Sequence, residues 1–169
     1  MTKLSIAAVI TALSTTIGSA YASEFTPEMD TALQTCIDTA LRQHAGVVTQ
    51  WEMDSRTSAL IIKLDVVASD DLVWSMRCEG GAIVSDERKM GNKSYKMLSS
   101  RIKVPEVTAR QTAVGEYPGT ELTGMQYSLS WRGKPSFTYS FLTQDARQAT
   151  VEVSGVTGKI DSTYSSRVD

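Results

Sequence analysis

Most of this 169-residue chain reads as one helix-and-strand unit written twice, and that repetition limits the folds open to it more than any other feature. The first copy opens at Thr26-Pro27-Glu28 and ends on Gly80-Gly81-Ala82-Ile83. The second opens at Val104-Pro105-Glu106 and ends on Thr157-Gly158-Lys159-Ile160. In each, a 3.6-residue apolar period gives way to a period of two, which is the change from an amphipathic helix to half-buried strands. The expected fold class is α+β. It comprises two tandem helix-plus-antiparallel-sheet units, each a helix packed on a three- to four-stranded sheet.

The first helix has its start signals in order: Thr26 to cap, Pro27 for the first helical position, Glu28 at the positive end of the helix dipole. Met29, Leu33, Cys36, Ile37, Ala40, Leu41 and His44 then form one stripe, and Gly46 is placed as the stop. Alternation follows through Val47–Met53, Leu60–Val66 and Leu72–Cys78, with a short last strand at Ala82–Ser85. The second copy repeats this with a helix ending near Tyr117 before Pro118-Gly119. Strands follow around Met125–Trp131, Phe137–Phe141 and Val151–Val153, and then Lys159–Thr163.

Ahead of both copies, residues 1–22 have the physics of a secretion signal. Lys3 is their only charge, Leu4–Leu13 is an apolar run too short to span a bilayer, and Ala20-Tyr21-Ala22 gives a small-x-small cleavage pattern. The expected organisation is a signal peptide at 1–22, a first unit at 23–88, a basic linker at 89–103 and a second unit at 104–169. The expected location is periplasmic or secreted, with no stable membrane insertion.

Export bears on the two cysteines. Cys36 lies on the helix stripe and Cys78 on the apolar face of the third strand, so a helix laid across that sheet brings them together. A disulfide is expected, closing a loop of about 40 residues and contributing roughly 4 kcal/mol. His44 is the only histidine, and two thiolates with one imidazole do not complete a tetrahedral zinc site. No metal or other cofactor is expected. The formal net charge of −2 gives no electrostatic footprint for nucleic acid.

The segment DERKMGNKSYKMLSSRIK gathers positive charge. Its plain reading is a solvated linker; its sharper one is a strip formed by Lys89, Lys93 and Lys96 that docks an acidic partner. The aromatic residues Trp51, Trp74, Tyr127, Trp131, Phe137, Tyr139 and Phe141 fall on alternating faces and are expected in the core. Their alternates are Gln126, Ser128, Ser130, Thr138 and Ser140.

Catalytic patterns do not assemble. A phosphate loop would need glycine where Val153 stands and Ser or Thr where Ile160 stands. Asp70-Asp71 has the character of a turn, His44 that of a helix-end residue, and a single histidine leaves no nucleophile–base–acid set.

The ending Val151-Glu152-Val153-Ser154-Gly155-Val156-Thr157-Gly158-Lys159-Ile160, with the Pro105-Glu106 helix start and the Gly119 stop, resembles the PepSY domain family. The first copy departs from that family's ending, with Gly80-Gly81-Ala82-Ile83 in place of Thr-Gly-Lys. The resemblance implies an extracytoplasmic, non-enzymatic protein that binds a protein or peptide, such as a peptidase it modulates or inhibits. It also implies a sheet with one face left open, on which Gln126, Ser128, Ser130, Thr138 and Ser140 would form a polar concave surface. A structural envelope module and a small hydrolase with an unrecognised site are the alternative expectations.

Overall fold

The computed structural model describes residues 24–55, 59–90 and 94–167; the segment read as a signal peptide and Lys93 lie outside the described residues. Helix α1 (Pro27–Gln43) is followed by β1 (Gly46–Asp54), β2 (Ile61–Ala68), β3 (Val73–Glu79) and β4 (Ala82–Lys89). Then come α2 (Tyr95–Arg101), α3 (Glu106–Glu116), β5 (Glu121–Leu129), β6 (Pro135–Leu142), β7 (Arg147–Ser154) and β8 (Ile160–Arg167).

The expected pair of separate helix-plus-sheet units is wrong. Among the described residues, eight strands form one antiparallel sheet in the order β4-β3-β2-β1-β5-β6-β7-β8, accompanied by three helices. The physical reason lies at the edges. The first strand of each half, β1 and β5, has one side unpaired within its own half, and an unpaired edge is a template for another strand. Here the two edges satisfy each other through Gln50↔Gln126, Trp51↔Met125 and Glu52↔Gly124. Gly124 permits the close approach, since a Cβ there would stand 3.0 Å from the carbonyl oxygen of Trp51.

One sheet face carries the helices. Cys36 of α1 is bonded to Cys78 of β3, with Cα atoms 5.9 Å apart and both residues buried. Across the ladder Cys78 faces Ile62, and Met76 faces Leu64, which faces Trp51. Helix α3 reaches the same face, where the Trp51 indole and the Tyr139 hydroxyl both donate to Glu106. A single apolar core runs from Leu33 and Cys36 through Trp51 and Met125 to Phe137, Phe141 and Val151.

The local signals hold at α1. Thr26 caps it by accepting from the Met29 amide, Pro27 is the first helical residue, and His44 is the C-terminal cap. Gly46 has a different role from the one expected. It lies in β1, where a Cβ would collide with the Val67 carbonyl, so the glycine serves close strand approach rather than helix termination.

The supposed linker at 89–103 contains regular structure in its described residues. Lys89 belongs to β4, and Tyr95–Arg101 is helical, with Leu98 buried. Tyr95, Leu98 and Ile102 repeat at helical spacing, and Asp71 accepts from the Tyr95 amide at 2.7 Å in place of a cap from Ser94. The closing strands run further than their sequence signals, to Lys89 and Arg167. Trp131 is not in the core: β5 ends at Leu129, and the indole stands 87 % exposed at the hairpin tip.

Candidate binding face and buried ionic cluster

The face opposite the helices holds a cleft of about 500 Å³ across the β1–β5 seam. Both seam strands carry a register shift, between Val48 and Gln50 in β1 and between Leu122 and Gly124 in β5. Such bulges bend a strand and increase its twist, so two of them side by side make a concavity. Gly124 adds depth by leaving a gap in the row of side chains.

Gln50, Gln126, Thr138, Ser140 and Thr150 supply amides and hydroxyls to this cleft, while Glu52, Asp54 and Glu121 make its charge negative. Some of these groups are already engaged. Gln50 donates to Glu52 at 3.1 Å, Ser55 to Glu121 at 2.5 Å, and the Thr123 hydroxyl to the Ser140 carbonyl at 3.1 Å. The cleft presents hydrogen-bonding groups of both senses on the sheet surface. Its described lining contains no His, Cys, Lys or Arg. Of the polar alternates read from the sequence, Gln126, Thr138 and Ser140 line the cleft. Ser128 bonds Ser136 beside it, and Ser130 lies in the hairpin turn, bonding the Lys134 amide.

A second constellation lies between α1, α3 and the sheet. Arg110 retains only 1 % of its side-chain surface. Its Nη1 is 2.9 Å from Glu106 and its Nη2 donates to Gln34 at 3.0 Å. Its Nε is 2.9 Å from Asp30, close enough for an ion pair though not aligned as a hydrogen bond. Glu106 in turn accepts from Trp51 at 3.3 Å and from Tyr139 at 3.2 Å. Burial raises the Glu106 carboxyl above its ordinary range even though Arg110 pulls it down. Burial, with the nearby Glu106 charge, also pushes the Tyr139 hydroxyl far up.

A perturbed carboxyl often marks an active site. Here its partners span both halves of the chain (Asp30, Gln34 and Trp51 on one side, Glu106, Arg110 and Tyr139 on the other), and nearly every hydrogen-bonding group is used internally. The arrangement is that of a clamp between the halves. The sequence holds one signal for it, the Glu106–Arg110 pair at i,i+4, but nothing in the spacing marks that pair as buried.

His44, expected at a helix end, stacks on Trp74 with ring centres 3.9 Å apart and lies 3.2 Å from Asp86. Of the three lysines proposed to dock an acidic partner, Lys89 is paired with Asp65 at 3.0 Å, Lys96 is exposed on α2, and Lys93 lies outside the described residues. Among the described residues, no group of three His, Cys, Asp or Glu is arranged to hold a metal ion, and no helix is long and apolar enough to cross a membrane.

No family model matches the chain, and no curated protein matches it in sequence. The crystal structure of a putative lipoprotein from Clostridium difficile 630 has a similar fold. It shows 8 % sequence identity and a TM-score of 0.50, and covers 88 % of this chain and 96 % of that one.

Proposed function

We propose that this chain is an exported, non-catalytic binding protein that holds a protein or peptide partner against the open face of its sheet and so modulates that partner, a peptidase being the candidate class. The observation that carries this reading is the polar, negatively charged cleft across the seam, built by two bulges and Gly124. Export is supported by the buried Cys36–Cys78 bridge, a cross-link typical of oxidising compartments. The likeness in fold to a protein described as a lipoprotein is compatible with an envelope setting. The PepSY resemblance of residues 151–160 supplies the link to peptidases.

The test is affinity capture from an extracytoplasmic extract with the wild-type protein and with a Gln126→Arg/Thr138→Arg variant, which fills the cleft without touching the core. A partner held by the wild type and weakened tenfold or more in the variant, with thermal unfolding unchanged, supports the reading. Adding the purified protein to the captured partner then measures inhibition. A partner held equally by both proteins would take the open face out of the interface.

A further inference from the structure

We propose that the end of the molecule formed by α2, the β5–β6 hairpin and the β7–β8 turn is a peripheral docking surface for a bilayer containing anionic phospholipid. Three stretches, 95–105, 128–135 and 154–160, are far apart in sequence and tied together in the fold. The Lys103 amide donates to the Gly155 carbonyl at 2.8 Å, and the Gly155 amide donates to the Pro135 carbonyl at 2.9 Å. Arg101 crosses from the end of α2 to donate to the Gly133 carbonyl at 2.8 Å. Together the stretches carry Lys96, Arg101, Lys103, Arg132, Lys134 and Lys159, all six exposed, and no aspartate or glutamate. The bordering acids are few. Asp71 holds the first amide of α2, its neighbour Asp70 accepts from the Leu72 amide, Glu106 is turned inward onto Arg110, and Asp161 stands exposed at the start of β8. In a chain of formal net charge −2, such a one-signed end leaves the remainder strongly acidic. The molecule is therefore a charge dipole that a negative surface would orient with this end forward.

The apolar groups at this end favour a lipid surface over an acidic protein. Trp131 is 87 % exposed, and Val156 and Met97 are 48 % and 45 % exposed. Trp131 and Val156 stand on projecting turns and Met97 on the outer side of a helix, not in a concave pocket. The Arg132 guanidinium lies 4.4 Å from the Trp131 ring centre. An indole joined to a cation on a projecting turn suits the headgroup layer, where the ring meets acyl chains and the charge meets phosphate. A shape-complementary protein interface instead buries its aromatic anchors in pockets. The mode is peripheral, since the described helices cannot span a bilayer, and it leaves the seam cleft free because it uses a different part of the molecule.

The experiment is co-sedimentation of the purified protein with phosphatidylcholine vesicles, with and without one quarter phosphatidylglycerol, at low and high salt. The N-terminus is defined by mass spectrometry. Expected is binding to the anionic vesicles that falls with salt and is weak on the neutral ones. Arg132→Gln/Lys134→Gln should lower the partition coefficient roughly 30-fold, about fivefold per charge. Tryptophan emission should be quenched by bromine-labelled acyl chains through Trp131, because Trp51 is fully buried and Trp74 is stacked on His44. Trp131→Ala should abolish that quenching while the folded spectrum persists. Equal binding to neutral vesicles, or binding indifferent to the charge-neutralising pair, would overturn the proposal; the latter also exposes any contribution from an apolar leader. Polyglutamate binding as tight as the vesicles and unaffected by Trp131→Ala would overturn it too, by making the end a general polyanion site.

Discussion

The two halves of the sheet have the same order of elements but stabilise them differently. In the first half a 17-residue helix is stapled to β3 by Cys36–Cys78, and the core beneath it is mostly aliphatic, with Ile62, Leu64, Val66 and Met76. In the second half the helix has 11 residues and no cross-link, and the corresponding layer is aromatic. Tyr127 packs on Phe137 with centroids 5.5 Å apart, and Tyr117 packs on Phe141 at 5.6 Å. Large rings bury enough area to replace what a covalent loop closure contributes. A repeated pattern therefore constrains backbone order but not the means of stabilisation. The halves meet at the short β1–β5 ladder, at the Arg110 cluster, and through the Phe25 amide on the Thr120 carbonyl and Ser55 on Glu121, and these contacts decide whether they behave as one cooperative body.

The largest effect is expected at that junction. Arg110→Met leaves Glu106 and Asp30 without their buried cation, and breaking a buried pair from one side costs about 3–5 kcal/mol. Chemical denaturation should show this loss with both halves unfolding at lower denaturant. Unfolding of the second half alone would mean that the ladder by itself does not couple them. The triple variant Asp30→Leu/Glu106→Leu/Arg110→Met should recover part of the loss, because no buried charge remains unmatched.

Next in size is the staple. Cys36→Ala/Cys78→Ala removes a bridge between residues 42 apart, expected to cost about 4 kcal/mol in the chain-entropy model. Native-state hydrogen exchange locates the damage. The comparison of halves requires amides of α1 and β3 to lose protection before those of β6 and β7. Uniform loss across the sheet would mean that the halves do not open separately. The matching variant in the other half, Phe137→Ala, is expected to cost about 3–5 kcal/mol. It should reverse the order of opening.

Much of this fold is visible in the sequence, and what is not has a common physical cause. Alternation assigns residues to faces, so the helix side of Trp51 and Tyr139, the disulfide, and the polar side of Gln126, Thr138 and Ser140 are legible. Alternation is silent about which edge a strand presents to which neighbour, so the pairing of Gln50 with Gln126, and with it the seam cleft, is not. Composition misleads at 89–103, where abundant lysine and arginine conceal the Tyr95–Leu98–Ile102 stripe. It misleads again at Trp131, which stands two residues beyond the last strand residue, Leu129, and so lies in the turn rather than the core. The basic end joins residues up to 63 positions apart (Lys96 to Lys159), a distance no local pattern reports.

A smaller effect comes from pH and compares the junction with the second half. Burial raises the folded-state pKa of Glu106, so the native state favours its protonated form. That contribution is fully present below the unfolded carboxyl value, near 4.5, and is lost as pH rises through the higher folded value. Unfolding free energies measured across that window should fall less with rising pH in Glu106→Gln than in the wild type. An unchanged pH slope would mean that the Arg110 charge fully offsets the effect of burial on Glu106.

The smallest effect concerns Tyr127, which belongs to the second half alone. Burial raises its hydroxyl from 10.0 to about 12, with Arg101 pulling the other way. A folded pKa above the unfolded one contributes stability that is complete below pH 10 and lost between there and about 12. Ultraviolet difference titration should therefore show a tyrosinate appearing near pH 12 that is absent in Tyr127→Phe, with Tyr139 still un-ionised at that point. Arg101 also links this ring to the basic end through Gly133. Arg101→Gln should accordingly delay the transition further, because it removes the one cation that favours the phenolate. An earlier transition in that variant would mean that Arg101 shields Tyr127 from water more than it stabilises its charge. The aromatic layer would then depend on the basic end for its burial.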